Sequence, residues 1–70
     1  MHLPGLRRCR ESALLTQAEL AERSGVAEVT INRLENNRHE ARISTVRKLA
    51  EALRVDASEL METAEGKATA

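Results

Sequence analysis

The stretch TQAELAERSGVAEVTINRLENN, residues 16–37, has the pattern of two short helices joined by a tight turn. Thr16 and the Glu three residues later have the spacing of a capping box, in which each side chain satisfies a backbone amide at a helix start. Gly25 can take the left-handed conformation that ends a helix. Ile31 and Leu34 form an apolar i, i+3 pair on a second helix whose other positions are mostly polar. This pattern predicts a helix-turn-helix, whose second helix can enter the major groove of DNA.

Helical periodicity continues on both sides of this stretch. A short arm over residues 1–5 precedes an i, i+3, i+7 apolar pattern, and a clean apolar stripe follows the second helix after a polar connection. The fold class predicted is all-α, a compact five-helix bundle without strands, with helices at about 5–13, 17–24, 28–36, 44–54 and 57–63. The predicted interior contains Leu6, Cys9, Leu20, Ala21, Val26, Ile31, Leu34, Val46, Leu49, Leu53 and Leu60.

The chain length and the tail composition set the domain organisation. Seventy residues make one small domain, which we assign to residues 1–63. Residues 64–70 are small and polar, and we expect them to form a flexible C-terminal tail. There is no apolar run of about eighteen residues and no signal peptide, so we expect no membrane contact and a cytoplasmic location. The lone Cys9 allows no internal disulfide and suits a reducing compartment.

Charge and aromatic content narrow the function classes. The net charge is zero, which is unusual for a nucleic-acid binder. Residues 1–48, however, carry nine basic and six acidic residues, whereas residues 49–70 carry two and five. A positive region followed by an acidic tail is compatible with phosphate binding. The complete absence of Phe, Tyr and Trp excludes modules that stack bases on aromatic side chains.

The sequence supplies no constellation for catalysis or metal binding. His2 and His39 are far apart and lack Cys or acidic partners at ligand spacing. No Ser has a plausible His/Asp partner set, and there is no Gly-rich phosphate loop. We therefore predict a protein that is not an enzyme and has no metal and no cofactor.

Several segments in the same order and spacing carry a family resemblance: LTQAELA (15–21), SGV (24–26), TINRLEN (30–36) and TVRKLAEALRV (45–55). Over about residues 6–61 the chain resembles the Cro/C1-type (XRE-like) helix-turn-helix family of phage repressors and bacterial regulators. The resemblance implies a lambda-repressor-like DNA-binding domain. It also implies binding to double-stranded DNA, commonly as a two-fold dimer.

The resemblance further implies roles for individual residues. Arg10 and Glu35 match a pair that forms a salt bridge between the first and third helices in some relatives, and that face of the third helix offers no other opposite-charge partner. The surface that faces base edges in relatives corresponds to Glu28, Val29, Asn32 and Arg33. Contacts to the DNA backbone are implied for Gln17, Thr30, Asn36, Arg38, His39 and Arg42.

The chemistry of the base-facing residues leaves alternatives open. Arg33 can donate a bidentate pair to guanine, or it can contact a phosphate. Glu28 can accept from cytosine N4, but it also repels phosphates and so can serve mainly to reject wrong sites. Val29 can pack on a thymine methyl group or remain a surface residue.

The chain also departs from the family pattern. Leu14, Asn37 and Arg54 stand where the family often has Gly, and Asn is the best of these three at tolerating positive φ. Ala27 stands where a Ser or Thr usually caps the third helix, which removes a cap worth about 1 kcal/mol. Ala41 replaces a common Pro.

We predict a sequence-specific DNA-binding protein, a small transcriptional regulator that docks its third helix in the major groove. The alternative is a protein-interaction module, such as an antitoxin-like or adaptor protein, because the last helix and tail are acidic and carry apolar residues. A homodimer is a further expectation, with a seam at Val55, Leu60 and Met61.

Overall fold

The computed structural model describes residues 1–62, and this part of the chain forms five helices without a strand. The fold class is therefore as predicted. The predicted tail, residues 64–70, lies outside the described residues. The helices are α1 (Leu6–Ser12), α2 (Gln17–Ser24), α3 (Glu28–Glu35), α4 (Ile43–Leu53) and α5 (Ala57–Met61).

Local sequence signals explain where α2 begins and ends. The hydroxyl of Thr16 accepts a hydrogen bond from the amide of Glu19, and the Glu19 carboxylate accepts one from the amide of Thr16. This reciprocal pair is the predicted capping box. Gly25 ends the helix with a φ of 77°, and its amide donates to the carbonyl of Ala21. The turn between α2 and α3 is therefore encoded by single residues at both of its ends.

Three other helices end in a left-handed residue that is not glycine. Leu14, Asn37 and Arg54 have φ values of 60°, 57° and 58°. After each of them the next amide donates to a carbonyl five residues back, as Arg38 does to Arg33 at 2.9 Å. This is the Schellman arrangement, which satisfies carbonyls left over at a helix end. The backbone at these positions keeps the left-handed conformation that Gly usually adopts. The side chains of Leu14, Asn37 and Arg54 add a steric cost to this conformation.

The core agrees closely with the sequence prediction. All the predicted interior residues are buried except Ala21, which is only partly buried and packs against the edge of the core. The helix pairs that pack together are α2 with α4, α2 with α3, α1 with α5, α4 with α5, and α1 with α3. The predicted interior lacked four residues that are buried: Leu3, Gly5, Ala41 and Ala50.

The N-terminal arm is part of the fold. Leu3 is 1% exposed, and the backbone of Met1 forms two hydrogen bonds with Ala41, at 2.7 and 3.1 Å. The arm thereby ties down the connection between α3 and α4. Gly5 is buried against α5, and its amide donates to the carbonyl of Leu60 at 2.8 Å. The sequence did not indicate that a side chain would be excluded at Gly5, because the approach of α5 is a tertiary contact.

The bounds of α2 are as predicted, and those of the other helices differ from the prediction by one or two residues. α4 begins at Ile43 rather than at residue 44, and α5 ends at Met61 because Glu62 has extended backbone angles. Ala27 precedes α3 and forms no side-chain cap, as the sequence indicated. Among the described residues, no helix is both long enough and apolar enough to cross a bilayer.

Candidate nucleic-acid interface

The third helix divides into a buried face and an exposed face. Ile31 and Leu34 are both 0% exposed, so the helix is fixed by its inner side. The four candidate base-reading residues, Glu28, Val29, Asn32 and Arg33, are all exposed. Val29 keeps 55% of its surface accessible although it is a large apolar residue. Its exposure has no explanation in the packing of the monomer, and it lies one turn before Arg33 on the same face.

Two of the candidate backbone-contacting residues, Gln17 and Asn36, are hydrogen-bonded to this face. Gln17 stands at the first position of α2 and is half-buried, and Thr30 is half-buried on α3. The exposed residues beyond α3 are Asn36, Arg38, His39 and Arg42. The structure brings Gln17 and Asn36 to the same side as α3, since Asn32 donates to the Gln17 side chain at 3.4 Å and Asn36 donates to the Asn32 carbonyl at 2.9 Å.

A buried carboxylate underlies this surface. The side chain of Glu35 is 0% exposed and that of Arg10 is 13% exposed. Arg10 donates to both carboxylate oxygens, at 2.6 and 3.2 Å, and its third contact is with the carbonyl of Leu15 at 2.8 Å. The predicted Arg10–Glu35 salt bridge is therefore present and joins α1 to α3. Bidentate geometry of this kind is the strong form of a charge-assisted pair.

Two further residues donate to the same carboxylate. Gln17 donates at 2.9 Å and Arg7 at 3.3 Å. The sequence prediction of the Arg10–Glu35 pair did not include these two further partners of Glu35. The sequence contains the signal, because Arg7 precedes Arg10 by three residues and so lies on the same face of α1.

The network sets the ionisation of the carboxyl group. Burial alone would raise the pKa of Glu35, but the hydrogen bonds from Arg10, Gln17 and Arg7, together with the charge of Arg10, outweigh it. The pKa of Glu35 therefore lies below its usual value. The hydrogen bond to Glu35 raises the pKa of Arg10 in turn. Both groups are charged at neutral pH, so the link between α1 and α3 is a true ion pair.

Other sites offer little chemistry. His2 and Glu40 approach to 3.5 Å at the surface, with 55% and 68% of their side chains exposed. Within residues 1–62 no group of three or more His, Cys, Asp or Glu residues is arranged to hold a metal ion. The Cys9 thiol is buried in the core, and it donates to the carbonyl of Glu59 at 3.9 Å.

An apolar groove lies along α4 and α5. It encloses about 430 Å³ and is lined in part by Met1, Ile43, Val55 and Met61. Ile43 and Met61 are 63% and 39% exposed. Leu60 does not line this groove, because it is 0% exposed inside the monomer. Its assignment to a dimer seam was therefore wrong, whereas its assignment to the core is confirmed.

Comparisons with known proteins agree with this geometry. A sequence model described as helix-turn-helix matches residues 6–60. Among solved structures, the restriction-modification controller protein C.AhdI from Aeromonas hydrophila is 30% identical in sequence and superposes with a TM-score of 0.77. The similarity covers 81% of this chain and 86% of that one. The comparison with curated proteins found no match.

Proposed function

The chain belongs to the helix-turn-helix family of DNA-binding regulators, and from this premise we propose that it regulates transcription by placing α3 in the major groove of duplex DNA. The observation that carries the proposal is the division of α3 into a fully buried apolar side and an exposed side. The family favours this function over a protein-interaction module. We expect the protein to act in the cytoplasm, without a cofactor.

The exposed side of α3 supplies the chemistry for reading bases. Arg33 can donate to the O6 and N7 atoms of one guanine, and Val29 can contact a thymine methyl group one turn away. Glu28, at the first position of α3, can accept from cytosine or exclude sites that bring a phosphate near. Because these side chains point away from the core, substituting them leaves the packing unchanged.

The surrounding residues supply contacts to the backbone. Gln17 stands at the positive end of α2, where its side-chain amide and the helix dipole both favour a phosphate. Arg38 follows the helix end, together with Asn36, His39 and Arg42, and Thr30 is half-buried on α3. These residues are proposed to fix the register of the domain on DNA without reading sequence.

The test is to select bound duplexes from a random library and then measure affinity across a salt series. Arg33→Ala is expected to cost about 1–3 kcal/mol on the selected site and to relax preference at one base pair. Arg38→Ala is the matched control, since it removes the same charge beyond the helix. It is expected to weaken all duplexes equally and to lower the salt slope by about one unit.

Two outcomes would contradict these assignments. Equal losses on selected and scrambled duplexes for Arg33→Ala would reduce Arg33 to a phosphate contact. No binding of the parent protein to any duplex at low salt would overturn the proposed function itself and favour a protein partner.

We also propose that the protein forms a homodimer through the groove on α4 and α5. The exposed apolar surface of Ile43 and Met61, next to half-buried Val55, supports this seam. Ile43→Glu is expected to give a monomer in sedimentation, and its fold should tolerate the change because an acidic residue suits the first turn of a helix. Ser44→Glu, at the next position, which is also exposed, is the control and should leave the dimer intact. A monomeric parent protein, free and on DNA, would refute the seam.

A further inference from the structure

Five polar side chains close a hydrogen-bonded ring at the edge of the proposed DNA surface. The guanidinium of Arg7 donates to Glu35 at 3.3 Å and to the side-chain oxygen of Asn36 at 3.4 Å. Asn36 donates to the side-chain oxygen of Asn32, and Asn32 donates to that of Gln17, each at 3.4 Å. Gln17 completes the ring by donating to Glu35 at 2.9 Å. We call these five residues the polar ring.

The two charged members determine the orientation of the three amides. Arg7 can only donate, and an ionised Glu35 can only accept. The amide oxygens of Asn36, Asn32 and Gln17 must therefore each face the preceding donor, and their nitrogens must face the next acceptor. Every side-chain oxygen of the ring is used internally. The N–H groups of Arg7 that the ring does not use remain available to an outside ligand, which suits an anion.

The charge of the ring is also unbalanced. Arg10 approaches Glu35 from inside the fold at 2.6 Å and neutralises its charge. Arg7 is then a surplus cation, with 53% of its side chain exposed and a longer contact to the carboxylate of 3.3 Å. A guanidinium has five N–H donors, of which the ring uses two. Arg7 donates to Asn36 directly and shares the Glu35 carboxylate with Gln17, so its positive charge lies close to the two amides proposed to contact DNA phosphates.

From this geometry we infer that Arg7 contacts a phosphate of the DNA backbone, with the polar ring holding its guanidinium at the edge of the proposed DNA surface. The inference rests on the proposed function and adds a residue that the family comparison did not supply. Glu35 acts here as a positioning residue, because its ionised carboxylate directs the Gln17 amide and holds Arg7 next to Asn36.

The ring has a consequence for Asn32. Bidentate recognition of adenine requires one amide donor and one amide acceptor. The oxygen of Asn32 already accepts from Asn36, and its nitrogen donates to Gln17. An amide oxygen has a second lone pair and an amide nitrogen has a second N–H, so the closed ring orients the Asn32 side chain and leaves it able to read adenine.

The experiment compares the parent protein with Arg7→Gln, Arg7→Lys and Arg23→Gln. The affinity of each protein for a selected duplex and for a scrambled duplex is measured over a salt series. Arg7→Gln is expected to lower the salt slope by about 0.9 on both duplexes, which corresponds to an affinity loss of roughly tenfold near 0.1 M salt. Arg7→Lys keeps the charge and should retain the slope. Arg23→Gln removes the same charge from the last turn of α2, at the end opposite Gln17, and should change the slope little.

The outcomes separate this inference from the proposed function. If the parent protein binds with a steep salt dependence but Arg7→Gln has the parent's slope, Arg7 is only a surface residue and the inference is wrong. A loss confined to the selected duplex would make Arg7 a base contact and would also overturn it. Failure of the parent protein to bind either duplex would overturn the proposed function and the inference together. Because Arg7 is half exposed, its variants are expected to fold, which far-UV circular dichroism verifies.

Discussion

Removing Arg10 should destabilise the fold by a large fraction of its total stability. Arg10→Ala leaves the fully buried carboxylate of Glu35 without its closest counter-charge, and loss of one partner of a buried pair costs about 3–5 kcal/mol. The carbonyl of Leu15 also loses a donor held at 2.8 Å. Gln17 and Arg7 still donate to Glu35, so the lower half of this range is expected. A domain of 70 residues has a total of only about 4–10 kcal/mol.

The stability lost in Arg10→Ala should depend on pH. The hydrogen bonds to Glu35 determine the direction of this dependence. The pKa of Glu35 is lowered in the folded protein, so its stabilising effect is present above the unfolded pKa of about 4.3 and is lost as pH falls through the lower folded value. In Arg10→Ala the carboxyl stays buried without its main partner, and its pKa should rise. The variant can then relieve the stranded charge by protonation. The stability difference from the parent should shrink as pH falls from about 7 towards about 4.

Urea unfolding followed by far-UV circular dichroism measures these free energies, since the chain has no aromatic residue for fluorescence. Arg7→Ala is the matched control, because it removes another cation from the same carboxylate but at a half-exposed position. It should cost less than about 1 kcal/mol. A loss below about 1 kcal/mol for Arg10→Ala, or a loss that grows as pH falls, would refute the reasoning.

Three stability changes follow from single backbone positions. Leu14 is 89% exposed and has a φ of 60°. Leu14→Gly should raise the free energy of unfolding by about 0.5–1 kcal/mol, because the relief of left-handed strain exceeds the entropy cost of Gly. An unchanged or lower urea midpoint would contradict this prediction. Ala27→Ser adds the missing cap of α3 and should raise the free energy of unfolding by about 1 kcal/mol. Ala18→Ser, an exposed control inside α2, should not raise it. Gly5→Ala would place a methyl group 2.7 Å from the carbonyl oxygen of Glu62. It should therefore lower the free energy of unfolding, measured in urea, by about 1–3 kcal/mol. An unchanged free energy of unfolding would mean that α5 moves away freely.

The sequence alone was sufficient to predict those parts of the architecture that depend on interactions between residues close together in the chain. The Thr16 capping box and Gly25 define α2 because their hydrogen bonds and backbone angles are local, and apolar periodicity identifies the buried sides of α3 and α4. The Arg10–Glu35 pair was also predictable, although only through the family resemblance. Helix ends were predicted less well, since α5 stops where the backbone turns extended and no residue signals it.

Tertiary structure decided the contacts between segments that are distant in the chain. Leu3 is in the core because the arm pairs with the backbone at Ala41, and no periodicity marks a residue outside a helix. Leu60 is interior rather than interface because α5 turns its one apolar anchor towards α1 and α4. The polar ring has the same origin: hydrogen-bond partners are chosen by distances between side chains on α1, α2 and α3, and sequence spacing constrains such distances only within a single helix.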